Sequence, residues 1–184
     1  MMARLSKRLL LSIFEQSLSL SGVDFLRLSD VREHPALYNI GDPNSRSYVK
    51  VYIWNLTFGG RPQLPDEWRI QVTGLDSSSG AQHFVPEVSG KTLILGWCSE
   101  LEVFAGYDVN RHLGPLGGSP SIQIRQPALE AARIDGLAHH LRGEDEIAFA
   151  IRPDHMGAYV QFVSEFHDCA TSPAATRILA SLCA

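Results

Sequence analysis

The sequence has few cysteines, and this shortage excludes two classes of small protein. Its 184 residues contain three, Cys98, Cys169 and Cys183, which are far apart and form no Cys-x-x-Cys pair. An odd number of widely spaced cysteines is typical neither of a zinc ribbon nor of a disulfide framework. We therefore predict no metal site and a reducing, cytoplasmic location, and no motif in the chain predicts a cofactor.

Long apolar runs are also missing. No run approaches the roughly 18 to 20 apolar residues that a membrane span needs. The segment Leu9–Phe14 follows three basic residues, as the apolar region of a signal peptide would, but Glu15 ends it early and no small-residue cleavage site follows. This arrangement favours an amphipathic helix over a signal peptide, and we expect no membrane partner.

Positive charge is scarce and is carried mostly by arginine. The formal net charge is -4, and lysine occurs only at Lys7, Lys50 and Lys91. Proteins that coat nucleic acid are normally basic, so DNA binding here would need a local basic face. Arginine favours planar contacts with guanine or phosphate, although a GC-rich genome would produce the same bias. Both explanations of the arginine bias stay open.

The length and the 45% hydrophobic content predict one domain over residues 1–184 with one well-buried core. Leucines at helical spacing indicate a helical segment within residues 1–34, and 24–34 is ambiguous between loop and a second short helix. We expect a sheet-rich core over 48–160 and a helical tail over 161–184.

Alternating and β-branched segments predict the strands of this core. The predicted strands are Tyr48–Trp54, Trp68–Thr73, Thr92–Trp97, Leu101–Val109, Ser121–Arg125 and Glu146–Ile151. The predicted helices after them are Pro127–Leu141, Met156–Phe166 and Ala174–Cys183. Most connections between strands are too short for a crossover helix. The fold class is therefore α+β, with a largely antiparallel or mixed sheet flanked by helices, and a barrel-like closure is one arrangement of it.

The chain contains no complete catalytic motif. A common class of metal-dependent nuclease pairs carboxylates with a lysine two residues after a glutamate, and no Glu-x-Lys occurs here. His139 and His140 fall on the predicted helix, where adjacent residues face different ways, so they do not form an HNH-type metal unit. No Gly-x-Ser-x-Gly elbow or phosphate-binding loop is present either. We predict a recognition domain with no catalytic residue rather than an enzyme.

Polar residues alternate with apolar ones in two of the predicted strands. Arg69, Gln71, Gln123 and Arg125 would share one sheet face if the strands pair in register. That face is either simply solvated or a DNA-binding surface, on which arginine pairs with guanine and glutamine with adenine. The full set of predicted DNA-binding residues is Arg61, Arg69, Gln71, Arg111, His112, Gln123 and Arg125.

Aromatic residues beside these positions suggest a pocket for a flipped base. Two aromatic rings could stack on the faces of such a base, and a carboxylate could bind its edge. The predicted pocket residues are Trp54, Trp97, Tyr107 and Asp108. The competing interpretation is that these aromatic rings fill the core, as the strand alternation alone predicts.

Long ordered segments of the chain resemble a known family. They are Val51–Gly60, Asp66–Gly74, Leu95–Trp97, Val103–His112, Ser119–Ile124 and Ile147–Asp154. Over residues 48–160 the chain resembles the N-terminal recognition-type domain of bacterial restriction proteins that are associated with DNA methylases. In many of these proteins a comparable region precedes a C-terminal HNH nuclease. The resemblance implies DNA, an HNH nuclease and a methyltransferase as partners.

The resemblance implies a DNA-recognition module of a bacterial restriction or anti-phage defence system, with a modified base as one form of target. The chain ends at Ala184, where an HNH segment would begin, so we expect a fragment of a longer nuclease or a separately encoded partner of one. Two alternatives stay open. One is a metal-dependent nuclease that uses Asp66, Glu67, Glu102 or Asp108, and the other is a protein or small-ligand sensor of the same system.

Overall fold

A computed structural model describes residues 4–75, 81–143 and 145–168. Within these ranges the helices are α1 (Lys7–Leu20), α2 (Gln126–Asp135), α3 (Met156–Gln161) and α4 (Val163–Asp168). The strands are β1 (Phe25–Arg27), β2 (Ala36–Ile40), β3 (Ser47–Phe58), β4 (Glu67–Gln71), β5 (Lys91–Cys98), β6 (Val103–Tyr107), β7 (Ser121–Arg125), β8 (Leu137–Arg142) and β9 (Glu146–Ile151). The helix predicted over Ala174–Cys183 lies outside the described residues.

Seven strands form the main sheet, in the order β1-β2-β3-β5-β6-β9-β8. Its neighbouring strands are antiparallel except β3 and β5, which pair in parallel. The α+β fold with a mixed sheet is therefore confirmed. The sheet is not closed into a barrel, so the barrel-like arrangement is wrong.

The long strand β3 belongs to two sheets. Residues 49–55 pair with β5, whereas Leu56, Thr57 and Phe58 pair with β4. Strand β4 also pairs with β7, so β3, β4 and β7 form what we call the small sheet. The chain thereby folds the small sheet over one face of the main sheet.

Each face of the main sheet has its own apolar core. The helix-side core packs α1, α3 and α4 on the main sheet through residues such as Phe14, Phe149 and Tyr159. The inter-sheet core fills the space between the main sheet, the small sheet and α2 with residues such as Ile70 and Leu129. Because both faces are covered, the central strand β5 is buried along almost its whole length.

Several stretches of the chain differ from the sequence prediction. Strand β2 was not predicted, and the helix predicted over Met156–Phe166 is divided into α3 and α4. The ambiguous stretch 24–34 contains β1 and turns rather than a second helix. The helix predicted to reach Leu141 ends at Asp135, because Gly136 follows it with a φ of +91°, which favours glycine. Residues Leu137–Arg142 then form β8, so His139 and His140 lie on a strand and not on a helix.

We predict that Gly96→Ala lowers the free energy of unfolding by about 1–3 kcal/mol, because overpacking a filled core costs this much. A methyl group at Gly96 would lie 2.5 Å from Cγ2 of Ile70, the residue through which β4 packs on β5. Urea unfolding followed by tryptophan fluorescence measures the change. Gly117→Ala is the control, because no heavy atom lies within 4 Å of the added methyl group. Equal loss of stability in both variants would contradict this account of the packing.

Candidate nucleic-acid interface

The pairing of β4 with β7 brings four predicted residues together. Arg69 lies directly opposite Gln123, and Gln71 and Arg125 lie two residues away on their own strands. Their apolar neighbours point inward into the inter-sheet core; these are Trp68, Ile70, Ile122 and Ile124. The four polar side chains therefore share the outward face of the small sheet, where each is partly exposed.

Strand β8 extends this surface with two residues that the sequence interpretation missed. Nη2 of Arg142 donates a hydrogen bond to Oε1 of Gln123 over 3.4 Å. Burial first, and then the charges of Arg125 and Arg142, lower the pKa of His140. We call Arg69, Gln71, Gln123, Arg125, His140 and Arg142 the polar face. His140 and Arg142 lie at its edge, because they share one face of β8 with Ala138, which packs on the inter-sheet core, and Arg142 lies 5.9 Å from the ring centroid of the buried Tyr107.

A local signal for the two missed residues was present in the sequence. Gly136 and Gly143 bracket a six-residue segment in which Ala138, His140 and Arg142 alternate. Treating Gly136 as the end of the preceding helix would have predicted a strand here, with His140 and Arg142 on one face.

Two arginines of the polar face are held by carboxylates. Arg125 donates to both oxygens of Asp66, through Nε and through Nη2, each over 3.0 Å. Arg142 pairs with Glu146. Within the described part of the chain the Arg69 side chain has neither a hydrogen bond nor an ion pair. Arg69 is therefore the arginine of this face whose guanidinium is ready to bind an anion or a base edge.

Glu146 connects the polar face to the segment that follows β6. Its Oε1 lies 2.9 Å from Nε2 of His112, and its other oxygen accepts from Arg142. Burial opposes ionisation of Glu146, but the hydrogen bond with His112 and the charge of Arg142 outweigh burial and lower its pKa. An ionised Glu146 holds Arg142 in position beside Gln123 and contacts His112 through its other oxygen.

The two remaining predicted DNA-binding residues lie at different places. Arg61 pairs with the buried Glu67, which lies opposite Arg125 in the small sheet, so Arg61 is at one end of the polar face. Arg111 is exposed, with Nε 3.9 Å from Oδ2 of Asp108. Among the described residues no hydrogen bond or ion pair connects Arg111 to the polar face.

The structure does not bring the four predicted pocket residues together. Trp97 is buried in the helix-side core, whereas Trp54 and Tyr107 are buried in the inter-sheet core on the other face of the main sheet. Asp108 accepts a hydrogen bond from the backbone N–H of Asn110 over 2.9 Å and so caps a short 3-10 helix. A role of these residues in binding a base stays a prediction, and it would require the surrounding strands to open.

The ring of Trp54 is already surrounded by groups of the same chain. Nζ of Lys7 lies 4.3 Å from its centroid, the His34 ring centroid is 4.9 Å away, and its Nε1 donates to the carbonyl oxygen of Thr73 over 3.2 Å. Burial lowers the pKa of Lys7 to about 7. Burial, followed by the charge of Lys7, lowers the pKa of His34 to about 3.

The carboxylates named for a nuclease are not assembled into a site. Asp66 and Glu67 each pair with an arginine, and Glu102 lies exposed in the turn between β5 and β6. Across residues 4–75, 81–143 and 145–168, no group of three histidine, cysteine, aspartate or glutamate side chains is placed to hold a metal ion.

We predict that His34 makes folding sensitive to acid. Its Nε2 accepts a hydrogen bond from the backbone N–H of Ile53 over 3.0 Å, so the folded state requires the neutral ring. Because the pKa of His34 is about 3 in the folded protein, against an ordinary value of 6.5 in the unfolded chain, the unfolded chain binds more protons between these two pH values. Stability is therefore lost progressively as the pH falls from about 6.5 towards 3.

Urea unfolding at a series of pH values measures this loss, with His34→Asn as the matched variant that cannot titrate. We expect the variant to be less stable at pH 7 and to have a flatter dependence between pH 6 and 4. Identical slopes for the two proteins would show that His34 is not the source of the acid sensitivity.

No helix within the described residues is long and apolar enough to cross a membrane.

Comparison with known proteins identifies a family to which this chain is similar. Residues 48–160, more than half of the chain, match the family described as Methylase-associated X1. No curated protein and no solved structure matches the chain. A methylase-associated domain fits a restriction–modification-type system and is consistent with a methyltransferase partner. The chain therefore belongs to the Methylase-associated X1 family.

Proposed function

We propose that this protein is a DNA-recognition module of a restriction–modification-type system that acts in anti-phage defence. The observation that carries the proposal is the polar face, in which Arg69 and Arg125 lie beside Gln71 and Gln123 on two paired strands and Arg142 contacts Gln123 from a third strand. Arginine and glutamine are side chains that can make two hydrogen bonds at once to a base edge, and arginine also binds phosphate. DNA is the polymer on which a DNA methylase acts, so a domain associated with a methylase has a reason to bind it.

The net charge of -4 does not argue against this function, because binding depends on the arginines of the polar face and not on the charge of the whole chain. Asp66 forms an ion pair with Arg125 and Glu146 with Arg142, while Arg69 is unpaired among the described residues. A guanidinium has five N–H donors, and Arg125 uses two of its donors on Asp66. The remaining donors of Arg125 stay available for a phosphate oxygen.

The carboxylate pairs also prepare the surface for binding. A free arginine side chain loses about 2 kcal/mol of rotamer entropy when it is fixed. Arg125 and Arg142 are already held, by Asp66 and by Glu146, before DNA arrives. Less ordering is then required on binding, which favours affinity.

The proposed partners are DNA, a DNA methyltransferase and an HNH nuclease on the same or a separate chain. The methylase-associated family supports the methyltransferase, and the resemblance to restriction proteins suggests the nuclease. The proposed location is the cytoplasm, where DNA and these enzymes meet in bacteria.

We predict salt-dependent binding to duplex DNA that requires the polar face. A fluorescent duplex of random sequence, about 30 base pairs long, is titrated with protein at about 50 and 200 mM NaCl while anisotropy is measured. Affinity should fall steeply with salt, because binding releases counterions from the phosphates. Arg69→Ala and Arg125→Ala should each weaken binding by about tenfold.

Arg133→Ala is the matched control, because it removes an equal charge from an exposed position on α2 outside the polar face. It should leave the affinity unchanged. Thermal melting of each variant checks that it is folded. Absence of duplex binding at the lower salt concentration, or equal weakening by all three substitutions, would reject the proposed function.

A further inference from the structure

The outward face of the small sheet has the dimensions of a surface that can enter the major groove. Neighbouring strands are about 4.8 Å apart, so β3, β4 and β7 span about 10 Å, and the major groove of B-DNA is about 12 Å wide. Residues two apart on a strand are separated by about 6.8 Å, which equals about two base-pair steps of 3.4 Å. Arg69 and Gln71 have this separation along β4.

The chemistry of the central pair fits base edges in this groove. Arg69 lies directly opposite Gln123, and Thr57 of β3 lies opposite Arg69 on the other side. Guanine presents two acceptors, N7 and O6, to an arginine, and adenine presents the acceptor N7 and the donor N6–H to a glutamine. The arginine and the glutamine are therefore side by side, as binding to neighbouring base pairs would require.

The hydrogen bonds that Gln123 makes within the protein are weak enough to be replaced by hydrogen bonds to a base, and among the described residues Arg69 has none to replace. The amide of Gln123 donates to Oγ of Ser121 over 3.2 Å and accepts from Arg142 over 3.4 Å. Both distances are at the long end of the hydrogen-bond range, so a well-placed base edge can replace these contacts.

Resting on the proposed function, we infer that the outward face of the small sheet lies in the major groove of duplex DNA, with Arg69 on a guanine and Gln123 on an adenine. The N6 amino group of adenine projects into this groove. A methyl group on N6 would replace the hydrogen that donates to the side-chain oxygen of Gln123, and it would occupy the space of the Gln123 amide group. Binding is therefore confined to sites whose adenine is unmethylated.

This arrangement would allow a methylase-associated domain to distinguish unmethylated from methylated DNA. The domain would bind DNA on which the adenine has not been modified and would be released from DNA that a methylase has modified. Recognition of methylation then needs no flipped base and no opening of the strands around Trp54 and Trp97.

The first test maps the groove. A preferred duplex is selected from a random pool, treated lightly with dimethyl sulfate and separated into bound and free fractions. Dimethyl sulfate methylates guanine at N7 in the major groove and adenine at N3 in the minor groove. We expect interference at guanine N7, with one guanine no longer interfering when Arg69→Ala replaces the parent protein. Arg133→Ala should show the parent pattern.

The second test uses the same duplex with N6-methyladenine in place of adenine. The parent protein should bind the methylated duplex at least about tenfold more weakly than the plain one. Gln123→Ala should bind the plain duplex more weakly than the parent and should no longer distinguish the two duplexes.

The outcomes separate this inference from the proposed function. Interference only at adenine N3, equal affinity for the single strand, or indifference of the parent protein to N6-methyladenine would overturn the major-groove inference while DNA recognition stands. Failure of the parent protein to bind any duplex would overturn the proposed function itself, and this inference with it.

Discussion

The structure depends on the division of one long strand between two sheets. The first part of β3 pairs in parallel with β5, and its last three residues pair with β4. This division folds the small sheet over the main sheet and creates the inter-sheet core. It also requires close approach at Gly96, where Ile70 of β4 packs on β5. The inward residues of β4 and β7 hold the small sheet in place, and their outward neighbours become the polar face.

An acidic chain can still present an unpaired arginine when its carboxylates pair with the neighbouring arginines. Asp66 and Glu146 hold Arg125 and Arg142, and Glu67 is buried beneath Arg61. These pairs contribute little to stability where they are exposed, but they orient long side chains that would otherwise be mobile. Arg69, without a partner among the described residues, is then placed between oriented neighbours. This arrangement supports the proposal that the polar face binds DNA, a polyanion that carries hydrogen-bond acceptors in a regular pattern.

The sequence predicted six of the nine strands of the described residues and four of the six residues of the polar face. Alternation in Trp68–Thr73 and Ser121–Arg125 was enough to assign Arg69, Gln71, Gln123 and Arg125 to one face. It failed at β8, because a helical spacing of leucines concealed the strand after Gly136. It also could not separate Trp54 from Trp97, because which face of a sheet each ring occupies depends on how β3 and β5 pair.

The sequence by itself determined the α+β class, the alternation of polar and apolar residues along each strand, and the lack of a Glu-x-Lys motif. These are local properties, set by a side-chain period of two and by the residues present. Tertiary structure alone decided that Arg69 lies opposite Gln123, that Arg142 of β8 contacts Gln123, and that the sheet stays open rather than closing into a barrel. Register and strand order are decided by contacts between segments far apart in the chain, which no local pattern contains.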